Sequence, residues 1–287
     1  MKPLFHQATV IGLGQIGGSV AFNLKRKKIA GRVVGVARRL ANLKAARSLR
    51  AIDSGTTDPV HGIQGSDLVV LAAPAVACIA LMKKIGPHLA PGCIVTDVAS
   101  TKRELVKAAE KFLPRTVSFV GGHPIAGTEK GGIHAATMDL FRGRKTILVP
   151  TRRSRNRAIQ KTATLWKRMG ALVTLMRPAL HDSILALVSH LPHMVAYSLV
   201  EVLARSDPDD AHKFVGGGFL DFTRITSSPP EMWRDICLTN RKEILAAMRA
   251  FLREFNRLYR MVARKRAGPL QKFFGAAKQF RDLGVAG

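Results

Sequence analysis

The chain has 287 residues, 47% hydrophobic and 23% charged, enough apolar material for a large core split between two domains, which excludes a disordered protein. Its net charge of +27 points first to a polyanion partner, but 22 Lys and Arg face 8 Asp and Glu in residues 1–150, and 24 face 11 in residues 151–287. A charge spread so evenly describes a basic solvated surface, and no specific nucleic-acid face is expected.

Cys78, Cys93 and Cys237 lie in apolar stretches without CxxC or CxxH spacing, so neither a zinc site nor a disulfide framework is expected. No signal-peptide pattern precedes the first strand, and the apolar run Leu68–Met82 is broken by Pro74 and too short to span a bilayer. These features predict a soluble, cytoplasmic protein without a membrane partner.

An apolar strand over Ala8–Leu13 runs into Gly12-Leu13-Gly14-Gln15-Ile16-Gly17, which opens a helix, and a second strand follows at Arg32–Ala37. In this strand–turn–helix–strand setting GxGxxG reads as a dinucleotide cradle. Gly12 allows the tight turn, Gly14 close approach of a pyrophosphate and Gly17 close helix packing, with Gln15 and Ile16 in the same turn. A carboxylate at the end of the second strand would bind the adenosine ribose. This chain has Ala37-Arg38-Arg39 there, and the two guanidinium groups favour a 2′-phosphate, hence NADP over NAD.

Strands at Asp67–Ala72, Cys93–Asp97, Val117–Val120 and Ile147–Val149 alternate with helices, predicting a parallel, doubly wound sheet with ligand at the carboxyl ends of the strands. The loops at Ala73-Pro74, at Ser100 and at His123 leave from that edge. Residues 121–132, GGHPIAGTEKGG, carry five glycines and a proline and read as a functional loop bearing His123, Thr128, Glu129 and Lys130. Residue 150 is the expected boundary between a dinucleotide-binding domain, 1–150, and a mainly helical domain, 151–287.

Within the helical domain a single further strand is expected, at Leu172–Leu175. A helix over His181–Leu203 should kink at Pro192, with His190 and His193 on one face. No carboxylate or thiol completes a metal set with that pair, so a ligand contact is expected and no metal. Arg224, after Gly216-Gly217-Gly218 and an apolar segment, suits a bidentate clamp on a carboxylate. Ser228-Pro229-Pro230-Glu231 reads as a capping box opening a helix that continues to Val262, and its long apolar stripe predicts a homodimer.

Taken together, GLGQIGGS at 12–19, DLVVLAAP at 67–74, TDVASTK at 96–102, GGHPIAGTEKGG at 121–132, SHLPH at 189–193 and DFTRITSSPPEMWRDI at 221–236 resemble the prephenate/arogenate dehydrogenase family. The resemblance implies a Rossmann-type domain joined to a helical dimerisation domain. It also implies an oxidative decarboxylation in which NAD or NADP takes a hydride and prephenate becomes 4-hydroxyphenylpyruvate. By the family pattern His123 accepts the proton of the ring hydroxyl, Ser100 orients His123 or the cofactor, and Arg224 clamps a substrate carboxylate. Lys102, Thr128, Glu129, His190 and His193 would line the substrate cleft, and Gly12, Gly14, Gln15, Ile16, Gly17, Arg38, Arg39, Ala73, Pro74 and Ser100 the cofactor site. Arogenate is the alternative substrate, and a non-catalytic dinucleotide sensor the alternative outside enzymes.

Overall fold

The computed structural model describes residues 2–128, 131–206 and 208–285, which fold as two compact units, 1–241 and 242–287. In the first, β1 (Phe5–Ile11), β2 (Ala30–Val36), β3 (Ser54–Thr56), β4 (Leu68–Leu71), β5 (Ile94–Asp97), β6 (Ser118–Pro124), β7 (Lys145–Pro150) and β8 (Leu172–Leu175) form one sheet in the order β3-β2-β1-β4-β5-β6-β7-β8. Neighbours pair in parallel except β6 with β7, which are antiparallel. The central strand β4 shows why: Leu68 and Val70 enter a core with Phe5, Val10 and Leu24, while Val69 and Leu71 enter a second core with Met82 and Leu105. A strand buried on both faces is apolar throughout, as parallel sheets require.

Helices α1 (Gln15–Arg26), α2 (Leu40–Ser48), α3 (Pro59–Gly62), α4 (Ala75–Ile85) and α5 (Arg103–Phe112) make the crossovers. The sheet runs on past residue 150 through α6 (Asn156–Arg168), whose fully buried Trp166 packs edge-on against Phe141, and through β8. β8 therefore forms one edge of the sheet and β3 the other.

Three expectations are corrected. The first four residues of GGHPIAGTEKGG are strand, not loop: Gly121, Gly122, His123 and Pro124 pair with Val149, Leu148, Ile147 and Thr146 of β7. Their glycines answer crowding instead of turning, because a Cβ on Gly122 would lie 2.6 Å from the Asp97 carbonyl oxygen. The helix expected over His181–Leu203 is not continuous α-helix up to Pro192. After α7 (Pro178–Leu185) the backbone makes one π-helical turn, Ala186–His190, directly before α8 (Leu191–Ser206), which carries Pro192, a residue with no amide hydrogen to donate, in its first turn. Ser228 does not cap: its hydroxyl donates to the Ile225 carbonyl. The helix it precedes breaks at Asn240 into α10 (Pro230–Thr239) and α11 (Arg241–Ala263), because the Asn240 side chain turns inward to bond Asp182 and His190.

Between α8 and α10 lies α9 (Gly217–Thr223), followed by a 3-10 turn at Arg224–Ser227. The helical run Pro178–Ser206 is, by length and composition, apolar enough to cross a membrane, although the sequence pattern drew attention to Leu68–Met82 instead. It nevertheless carries His181, Asp182 and His190, all buried and hydrogen-bonded within the first unit. In the second unit, α11 and α12 (Ala267–Phe280) meet where the Arg257 guanidinium covers the Phe273 ring, and Phe251 stacks on Phe255.

Candidate active site

The glycine-rich turn sits where the strand order reverses, between β1 and β4, the place where open α/β sheets bind ligands. Gly12 has φ +100°, and a Cβ there would meet the Ala72 carbonyl oxygen at 2.2 Å. A Cβ on Gly17 would lie 1.9 Å from the Gly12 carbonyl oxygen, so α1 touches the turn. Gly14 is different: nothing lies within 4 Å of its Cβ position. That gap stands at the N-terminus of α1, which has neither a side-chain cap nor an acidic residue in its first turn. Open space, uncapped amides and the positive end of the helix dipole fit a dinucleotide pyrophosphate.

The other expected cofactor residues lie on the same edge. Ala73 is half-buried and Pro74 exposed where β4 gives way to α4. Ile16 is half-buried beside Gln15, whose side chain clips the turn to the chain after β6. The Gln15 amide donates to Thr128 Oγ1 at 2.8 Å, and its carbonyl oxygen accepts from the Thr128 amide at 2.9 Å. Arg38 and Arg39 are exposed after β2, and no described residue offers either guanidinium an acceptor.

His123, 8% exposed near the carboxyl end of β6, has its Nδ1 2.8 Å from Nε2 of His181 in α7. His181 Nδ1 in turn lies 2.8 Å from Oδ1 of Asp182. The Asp182 carboxylate accepts the backbone amides of Lys102 and Arg103, each at 2.8 Å, where α5 begins. On its other side Asn240 Nδ2 donates to the Asp182 carbonyl at 2.8 Å and to His190 Nδ1 at 3.1 Å. Burial, reinforced by His181, Lys102 and His190, holds the His123 imidazole well below its usual titration range. Burial likewise lowers His181, although Asp182 opposes it, and lowers His190 to about 4. For Asp182, burial pulls upward, but the hydrogen bonds from His181 and the Arg103 amide win and keep its carboxyl below the ordinary range. These groups therefore amount to neutral rings next to an ionised carboxylate.

Lys102, expected in the substrate cleft, turns its side chain inward. Its fully buried ammonium bonds Asp97 Oδ2 at 2.6 Å, Ala99 O at 2.7 Å and Thr101 O at 2.9 Å. Asp97 also accepts the amides of Gly122 and Ala99, so the ion pair braces the loop after β5 against the strand that carries His123. Ser100 is half-buried in that loop, and the partner of His123 Nδ1 is His181, not Ser100. His193 stacks on Trp233 with ring centroids 3.8 Å apart, and its Nδ1 donates to Ser189 O at 2.8 Å. His190, by contrast, is buried edge-on to Trp233. Arg224 is exposed where α9 passes into the 3-10 turn. Asp235 pairs with Arg234 and accepts the Val76 amide. Glu129 and Lys130 lie outside the described residues. Among the described residues no group of three or more His, Cys, Asp or Glu is arranged to hold a metal ion.

Three contributors escaped the sequence reading: His181, Asp182 and Asn240. The signal was present, since an adjacent imidazole and carboxylate inside an apolar helix must be paired to be buried.

Known proteins resemble this chain in sequence and fold. Residues 20–175 match the family model for the prephenate dehydrogenase nucleotide-binding domain, and residues 177–276 that for the prephenate dehydrogenase dimerization domain. A prephenate dehydrogenase of Bacillus subtilis is 35% identical over 94% of this chain and 74% of its own length. A cyclohexadienyl dehydrogenase of Zymomonas mobilis is 30% identical over 97% of this chain and 96% of its own. The solved prephenate dehydrogenase of Aquifex aeolicus, in complex with hydroxyphenyl propionate and NAD+, superposes with a TM-score of 0.90 at 36% identity, covering 96% of this chain and 97% of that one. On domain matches spanning most of its length and on these relatives, the chain belongs to the prephenate dehydrogenase family.

Proposed function

We propose that the chain is a cytoplasmic, homodimeric prephenate dehydrogenase that converts prephenate to 4-hydroxyphenylpyruvate and carbon dioxide and prefers NADP. The observation that carries this reading is a buried, neutral His123 on the same sheet edge as a glycine cradle fitted to a dinucleotide. Gly12, Gly14 and Gly17 with Gln15 and Ile16 hold the cofactor, and Ala73, Pro74 and Ser100 flank it. When bound, the nicotinamide supplies the hydride acceptor. His123 orients the substrate through its ring hydroxyl and takes that proton while the carboxylate leaves as carbon dioxide. It returns the proton to the phenolic oxygen once the ring is aromatic. Arg224, His193 and the Thr128 and Glu129 segment are assigned to substrate carboxylates and side chain.

The preference for NADP rests on Arg38 and Arg39, exposed and without acceptors among the described residues at the end of β2, where NAD enzymes carry a carboxylate. The dimer rests on apolar side chains left open along the π-helical turn, α8, α11 and α12, among them Val188, Val202, Phe255, Tyr259 and Phe280. The division into a dinucleotide-binding domain, 1–150, and a mainly helical domain, 151–287, stays part of this reading, and the matched ranges 20–175 and 177–276 favour a boundary nearer residue 176. A cytoplasmic home suits three free thiols. Arogenate is kept as a second substrate because the chain is 28% identical to a Synechocystis arogenate dehydrogenase, with a TM-score of 0.82.

His123→Asn tests the reading. Dinucleotide affinity should stay within about threefold while turnover falls at least ~100-fold, the usual scale for a lost general base. Near-normal turnover would remove His123 from the chemistry.

A further inference from the structure

Resting on that reading, we propose that His181 and Asp182 act as a positioning pair that holds His123 in a single tautomer, with its proton on Nδ1 and its lone pair on Nε2. The hydrogen bonds that run from Asp182 through His181 to His123 fix this tautomer. Asp182 accepts two backbone amides, which can only donate, so its carboxylate acts as an acceptor. His181 Nδ1, 2.8 Å from Oδ1, must therefore be the donor. A neutral imidazole carries one N–H, which leaves His181 Nε2 with a lone pair. That lone pair faces His123 Nδ1 at 2.8 Å, so the hydrogen between them belongs to His123. The nitrogen left as base is Nε2.

The pair is built to stay put. The amides that grip Asp182 open α5, and the preceding loop is locked by the Lys102 ammonium on Asp97, Ala99 O and Thr101 O. Asn240 holds the Asp182 carbonyl from the opposite side. The direction of the pKa shifts agrees, since burial keeps His181 neutral while its hydrogen bond helps keep Asp182 ionised. Proton transfer then balances simply: the substrate O–H bond breaks, an Nε2–H bond forms on His123, and the proton returns to oxygen when the ring is aromatic. While His123 is an imidazolium, its Nδ1–H already points at His181, and the Asp182 charge lies one ring further on. Buried beside the Lys102 ammonium, that cation would otherwise be costly. Neither His181 nor Asp182 needs to touch the substrate.

The test is NMR of the histidine ring nitrogens in the full-length protein near neutral pH, with the His123 signals assigned by their loss in His123→Asn. The expected spectrum has His123 protonated at Nδ1 and bare at Nε2; a proton on Nε2, or averaging between the two, would overturn the proposal. Kinetics gives a second readout. His181→Leu should lower kcat ~100-fold with dinucleotide affinity within about threefold, whereas His181→Gln, whose amide oxygen accepts the same hydrogen bond, should recover at least about tenfold of that loss. Equal losses in both variants, or an unchanged kcat in His181→Leu, would also overturn it. Should His181→Leu fail to fold, the native spectrum alone decides. A chain that shows the expected tautomer but does not turn over prephenate refutes the substrate assignment and leaves the positioning pair standing.

Discussion

Acidification should destabilise this protein through its buried imidazoles, and His190 sets the scale. In the unfolded chain a histidine takes up a proton near 6.5, but in the folded protein burial postpones uptake by His190 to about 4. Between those values the unfolded state binds one more proton than the native state, so stability falls as pH falls; above the window the contribution vanishes, and below it the contribution is constant. At 1.36 kcal/mol per unit, the difference is about 3 kcal/mol for this residue alone. His123 and His181 are lowered as well and act in the same direction. Urea midpoints measured from about pH 7.5 down to pH 4.5 should decline steeply below 6.5. His190→Gln keeps an acceptor for Asn240 and removes the titration, so its decline should be shallower by roughly 1.4 kcal/mol per pH unit. A flat profile in the parent, or an unchanged slope in the variant, would contradict this linkage.

Lys102→Met leaves Asp97 buried without its counter-charge and should cost about 3–5 kcal/mol in denaturant unfolding. A loss below about 1 kcal/mol would mean that solvent reaches the carboxylate. Replacing Arg38 and Arg39 together with alanine should raise the Michaelis constant for NADP by ~10-fold or more and leave that for NAD within about twofold, the scale of charge-assisted hydrogen bonds. Equal effects on both cofactors would dismiss the two arginines as solvated surface.

Much of this architecture was legible because its signals are local. Gly12, Gly14 and Gly17 declare their roles by spacing between a strand and a helix, and β4 declares its burial by an unbroken apolar run. What was not legible depends on partners distant in sequence. Gly121 and Gly122 look like loop residues until β7 supplies their ladder and Asp97 the crowding that demands glycine. Lys102 looks like a substrate ligand beside Ser100, yet its ammonium turns inward to three acceptors of its own loop. The break at Asn240 has no local cause, since Arg241 and Lys242 are good helix formers; it exists because Asn240 serves Asp182 and His190. His181 and Asp182 were passed over because an amphipathic pattern reads apolar spacing and is silent about the polar residues between.

Dinucleotide-dependent oxidation of prephenate can be followed directly, as reduced-cofactor absorbance with purified protein. Prephenate or arogenate should be offered with NAD or NADP in all four combinations. Cofactor reduction is expected with prephenate, faster with NADP than with NAD, and with matching release of carbon dioxide. No reduction in any combination, with dinucleotide still bound, would show that the chain does not catalyse this reaction.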